Sequence, residues 1–173
     1  MAREKRTINV KSLISSAILM LVIAAITIGV YLYRKSPVPE SIRSQVDFTV
    51  LCPKSYDIDG GSWRVDTSDG TRVLTFVVRA PSTNITFSQQ ELPIAYKTDD
   101  AAYDRFIGSL KPRANFRVPL GTVSIVNFVS EGNYKSEGAS GLLSSEGTLL
   151  TAHPDKEISE REWYEVMESL VAY

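Results

Sequence analysis

From Ser12 to Tyr33 the chain carries no charged residue, and seventeen of the twenty-one positions from Leu13 to Tyr33 are Ala, Ile, Leu, Met, Val or Tyr. A helix of that length rises roughly 30 Å at about 1.5 Å per residue, which matches the hydrocarbon layer of a bilayer. Its eleven Leu, Ile and Val side chains favour insertion by roughly 3 to 6 kcal/mol, at about 0.3 to 0.6 kcal/mol each. A cleaved export signal has a shorter apolar core, about 7 to 15 residues, followed by small residues at the cleavage site. Here the exit reads Tyr31, Leu32, Tyr33, Arg34, Lys35. The run therefore predicts a retained transmembrane helix over residues 12–34. Its tyrosines would sit at the lipid–water interface and its two cations among the headgroups.

Charge is divided around this run. Residues 1–35 carry six Lys and Arg against one Glu, and the rest of the chain thirteen against nineteen Asp and Glu. The head is thus +5 and the remainder −6. Arg3, Lys5, Arg6 and Lys11 before the span outnumber Arg34, Lys35 and Arg43 after it. That bias places residues 1–11 in the cytoplasm as a basic head, and the acidic bulk outside. The lipid bilayer is then a partner through residues 12–34. An acidic domain excludes nucleic acid as a partner, since phosphate binding needs concentrated positive charge. Ala25 and Gly29 form one small-xxx-small pair that lets a second helix approach.

Pro37 and Pro39 stop the membrane helix, so residues 35–45 read as a spacer and 46–173 as an extracytoplasmic domain. Beyond the spacer the apolar period changes from helical to two-residue. "SWRVD" and "TRVLTFVVRA" meet at Asp69–Gly70, a strong hairpin signal. "NITFSQQEL" follows after a Pro81–Thr83 turn and completes a meander of strands. In "DDAAYDRFIGSLKP" the residues Tyr103, Phe106, Ile107 and Leu110 make one helical stripe, with Asp99 or Asp100 as N-cap and Pro112 as the stop. "GTVSIVNFV" returns to strand, and "GLLSSEGTLLTA" predicts a hairpin turning at Glu146–Gly147.

The last helix has Ser159 as N-cap and Glu162 in the capping-box position, with Ile158 and Trp163 as a hydrophobic staple. Trp163, Val166, Met167 and Leu170 form its apolar stripe, and Glu160, Glu162, Glu165 and Glu168 face water or the first-turn dipole. The expected class is α+β: an N-terminal transmembrane helix, then an antiparallel sheet packed against one or two helices, including a C-terminal helix.

Catalytic and metal signatures are sparse. Cys52 and His153 are the single cysteine and histidine, so no internal disulfide forms and no zinc cluster of ordinary composition can be built. Acyl transfer needs a nucleophile, a base and an orienting carboxylate. No G-x-S-x-G occurs, and His153 before Pro154 reads as a loop residue between strand and helix. Asp57, Asp59, Asp66 and Asp69 could suggest calcium, but the EF-hand order fails and turn chemistry explains them. Asp57, Asp59 and His153 stay as the weak binding candidates. Catalytic residues, bound metal and cofactor are all expected to be none. Asn84–Ile85–Thr86 spells a glycosylation acceptor, relevant only in a eukaryotic secretory pathway.

The sequential pattern, from "ESIRSQVDFTVLCPKSY" through "VLTFVVRA", "ITFSQQELP" and "PLGTVSIV" to "GTLLTAHPDKEISEREWYEVMESL", resembles a group of uncharacterised bacterial single-pass membrane proteins. Their outward domain of unknown function is similar to that appended to some anti-sigma factors and envelope lipoproteins. Leu51, Cys52 and Pro53 stand where that group has an aromatic before the proline. The resemblance implies an α+β domain in an extracytoplasmic setting and transfers no catalytic residue.

The expected function is a non-enzymatic, membrane-anchored binding or interaction module with an envelope protein or peptide as partner. One alternative is a membrane-tethered hydrolase built on the Asp57–Asp69 loops or His153. Another is a pilin-like envelope subunit, whose apolar helix usually carries an acidic residue near its start. None stands there.

Overall fold

Thr71–Arg79 (β4) and Asn84–Glu91 (β5) show how the sheet is specified. Their alternation puts Leu74, Phe76 and Val78, then Ile85, Phe87 and Gln89, on one fully covered face. The register aligns the two rows, with Phe76 opposite Phe87 and ring centroids 5.4 Å apart. Arg64–Ser68 (β3) joins β4 through Asp69–Gly70, with φ of 49° and 80°. Both values lie in the left-handed region, as a two-residue type I′ hairpin requires. Glu146–Gly147, at φ of 50° and 74°, turns Ser140–Ser145 (β8) into Thr148–Pro154 (β9) in the same way.

The structure is a computed structural model that describes residues 20, 36–127 and 138–173. Residues Pro37–Tyr173 form one compact unit. The expected head and span lie outside the described residues apart from Met20, which is helical. No helix among the described residues is long and apolar enough to cross a membrane.

Among the described residues the main sheet has eight strands, all pairs antiparallel. Asp57–Ile58 (β2) and β3 both pair with β4 at one edge, followed by β5, β9, β8, Gly121–Val126 (β7) and Ala114–Val118 (β6). β5 and β6 are therefore parallel, with three strands between them. Their connection must carry the chain back along the sheet, and it contains two helices, Ile94–Lys97 (α2) and Asp100–Ser109 (α3). The helix expected after Asp99 is thus present, but its capping differs from expectation. The Asp99 carboxylate caps nothing and bonds Arg105 at 2.9 Å.

The inner face of the sheet is covered by two further pieces. Glu160–Glu168 (α4) buries Trp163, Val166 and Met167 completely. Gly141 on β8 makes this close approach possible, because a Cβ there would lie 2.8 Å from the Trp163 ring and 2.6 Å from Met167 Cε. The Ser159 hydroxyl caps α4 by accepting from the Glu162 amide at 3.2 Å. The Glu162 carboxylate does not return to Ser159. It accepts from the Ser82 amide and hydroxyl, at 3.2 and 2.6 Å, and ties the helix to the β4–β5 loop.

The second piece is a two-stranded ribbon of Leu51–Pro53 (β1) and Leu170–Ala172 (β10). Gln89, 1 % exposed, clasps Leu51 from the sheet: its Oε1 accepts from the Leu51 amide at 2.8 Å and its Nε2 donates to the Leu51 carbonyl at 2.6 Å. The Thr148 hydroxyl adds a bond to the Thr49 carbonyl at 2.6 Å. Ahead of β1, the short helix Glu40–Arg43 (α1) places Ile42 in the core, as Val38 does just before it.

Cys52 sits fully buried in β1. Burial raises its thiol from the ordinary 9.0 to about 12, because a thiolate there would lose its hydration. The folded state then holds a proton that the unfolded chain releases above pH 9.0. Stability is fully present below that pH and should decline toward about 12. Tyr103, raised to about 12 chiefly by its own burial and secondarily by Asp104, acts in the same direction. Urea titrations across this range should show the decline, and Cys52→Ala should make it shallower, leaving the part due to Tyr103.

Candidate binding cleft

The inward rows of β4 and β5 change character at one end of the sheet. Arg72 stands two residues before Leu74, and Glu91 two residues after Gln89, so charge replaces apolar side chains where the strands finish. Between these strand ends, the Asp47–Phe48 segment and α2 lies a cleft of about 410 Å³. Its apolar side comes from Phe48, Leu92, Pro93 and Ile94. Pro93 is the N-cap of α2, and the Leu92 amide bonds the Gly147 carbonyl at 2.8 Å, which anchors the chain as it leaves the strand. Ile94 is 78 % exposed.

Four charges rim the cleft. Lys97 bonds the Glu91 carboxylate, whereas Arg72 Nη1 lies 3.9 Å from Asp47 Oδ2. The Arg72 and Asp47 side chains are 51 % and 69 % exposed, so their pairing contributes little to stability. The cleft joins an apolar wall to both signs of charge, a combination suited to holding a short polar chain by one side group. No protein-family model matches this chain, and neither a curated protein nor a solved structure matches it.

The residues singled out from sequence lie elsewhere. Asp57 and Asp59 converge on Arg79, at 3.7 and 3.6 Å, at the β2 edge. Asp59 also accepts from the Gly61 amide at 3.1 Å, which is a turn function. Among the described residues no group of three or more His, Cys, Asp and Glu is set to hold a metal.

His153 is in strand β9 rather than the expected loop, opposite Thr86, and Ser140 Oγ lies 2.9 Å from its Nδ1. A nucleophile and its base stand at such a distance. Ser140 is only 2 % exposed, however, and among the described residues no carboxylate bonds the imidazole. The pair serves as a cross-strand clasp between β8 and β9. Nothing in the sequence flags Arg72, Phe48 or Ile94, because the cleft forms from three separated segments without any motif. The one local signal was an isoleucine directly after Pro93, at the start of a helix too short to bury it.

Proposed function

We propose that the chain is a single-pass, membrane-anchored binding module that holds its Pro37–Tyr173 unit on the extracytoplasmic side and takes a protein or peptide partner into the cleft beside Ile94. The observation that carries the binding reading is the cleft itself, lined by the exposed Ile94 and by the charged side chains of Asp47, Arg72, Glu91 and Lys97. The anchor and its orientation are supported by the uncharged stretch within residues 12–34 and the cations before it.

The test uses the full chain in its own membrane, with Ile94→Cys carrying a benzophenone photo-crosslinker. A discrete protein adduct from this position is expected, and none from Tyr164→Cys, on the exposed side of α4. Equal crosslinking from both positions, or none from either, would overturn the reading.

A further inference from the structure

We infer that the short helix α1 docks on the phosphate layer of the bilayer through Arg43, an assignment that rests on residues 12–34 being the anchor. Val38 and Ile42 are buried in the core, and the Ile42 and Arg43 amides both bond the Pro39 carbonyl at 2.9 Å. The compact unit therefore begins at Pro37. Only three peptide steps join residue 34, where the span ends, to Pro37. At about 3.3 to 3.6 Å per residue they reach roughly 10 Å. The headgroup layer beside a span is itself about 5 to 8 Å thick. Because Val38 and Ile42 fix α1 to the fold, this short tether brings α1 to the headgroups with it.

Charge is ordered along the chain to match. Residues 34–45 carry Arg34, Lys35 and Arg43 against Glu40 alone, whereas residues 46–173 carry twelve Lys and Arg against eighteen Asp and Glu. The stretch beside the membrane is thus +2 and the remainder −6, an order that draws the near end to lipid phosphate and keeps the acidic bulk away. Arg43 is exposed in the last turn of α1, and among the described residues no carboxylate pairs with it, Glu40 included. Its polar neighbours are turned inward: the Ser44 hydroxyl and the Gln45 amide both donate to the Ser41 carbonyl, at 3.3 and 2.6 Å. The guanidinium is left as the free donor of this surface, with a planar fork that fits phosphate oxygens. Arg64 and Arg117 are equally exposed and unpaired among the described residues, but no short tether holds them at lipid.

The test places an environment-sensitive fluorophore on Ser41→Cys of the full chain, reconstituted in vesicles of equal parts phosphatidylcholine and phosphatidylglycerol, with a nitroxide on a fraction of the lipid headgroups. Ser41 is exposed, and the native Cys52 is fully buried and takes no label. Lifetime decays separate the label quenched at the headgroups from the unquenched label. The quenched population should dominate. Arg43→Gln should lower the ratio of quenched to unquenched label about fivefold, the factor for one basic side chain at an anionic surface. Arg43→Lys should keep most of it. An unquenched label, or a ratio that Arg43→Gln leaves unchanged, overturns the inference. If the chain stays in the vesicles through alkaline extraction while the label is unquenched, the docking alone falls. If extraction removes the chain, the anchor falls and the docking with it.

Discussion

Gln89→Leu should lower unfolding free energy by about 2 to 6 kcal/mol in urea titrations followed by circular dichroism, at about 1 to 3 kcal/mol for each stranded backbone group. The replacement keeps an inward, apolar-compatible side chain of similar length, so packing is a minor loss. The large cost comes from Leu51, whose amide and carbonyl are both satisfied by the Gln89 side chain at 2.8 and 2.6 Å. Leu51 is fully buried, so no water replaces the lost partner. The β1–β10 ribbon is attached to the sheet at this point, so amide exchange should speed up most at Leu51 and Cys52. A loss under about 1 kcal/mol would mean that Leu51 finds other partners and that Gln89 does not hold the ribbon.

Trp163→Ala should cost about 3 to 5 kcal/mol, the usual range for emptying a fully buried aromatic site. The indole Nε1 is buried without a hydrogen-bond partner among the described residues, so the loss is one of packing. Gly141 gives a sharper check. Gly141→Ala places a methyl 2.8 Å from the Trp163 ring and should by itself destabilise by about 1 to 3 kcal/mol through overpacking. In the Trp163→Ala background only the Met167 Cε, at 2.6 Å, still has to give way, and the vacated indole site lets this flexible side chain move, so the same methyl should cost clearly less. Such non-additivity is expected only of residues in contact. Additive losses would contradict the packing of α4 over β8.

The elements with strong local signals were readable. β4 and β5 declare themselves by two-residue alternation, both type I′ hairpins by a residue followed by glycine between strands, and α4 by Ser159 and its stripe. The short pieces were not. β1 and β10 have three residues each and exist because Gln89 and the mutual Val50–Tyr173 backbone bonds hold them, contacts that join residues far apart in sequence. β6 carries partial alternation in "ANFRV" but follows a proline and a left-handed Lys111, which read as a loop. Alternation puts Gln89 on the row of Ile85 and Phe87, but only the three-dimensional arrangement shows that its amide meets the Leu51 backbone. The cleft was invisible for the same reason, since Asp47, Arg72, Glu91 and Ile94 come together through the sheet order. Conversely, Asp57 and Asp59 drew notice by proximity in sequence and are occupied by Arg79.

Thiol labelling of the full-length Ile94→Cys chain in intact cells tests the account most directly. The native Cys52 is fully buried with its thiol raised to about 12, so it stays silent. Position 94 is open to reagent. A membrane-impermeant maleimide should modify Ile94→Cys without permeabilisation and leave the unsubstituted chain unmodified. Modification that appears only after the membrane is opened would place this unit, and its cleft, on the cytoplasmic side and contradict the account.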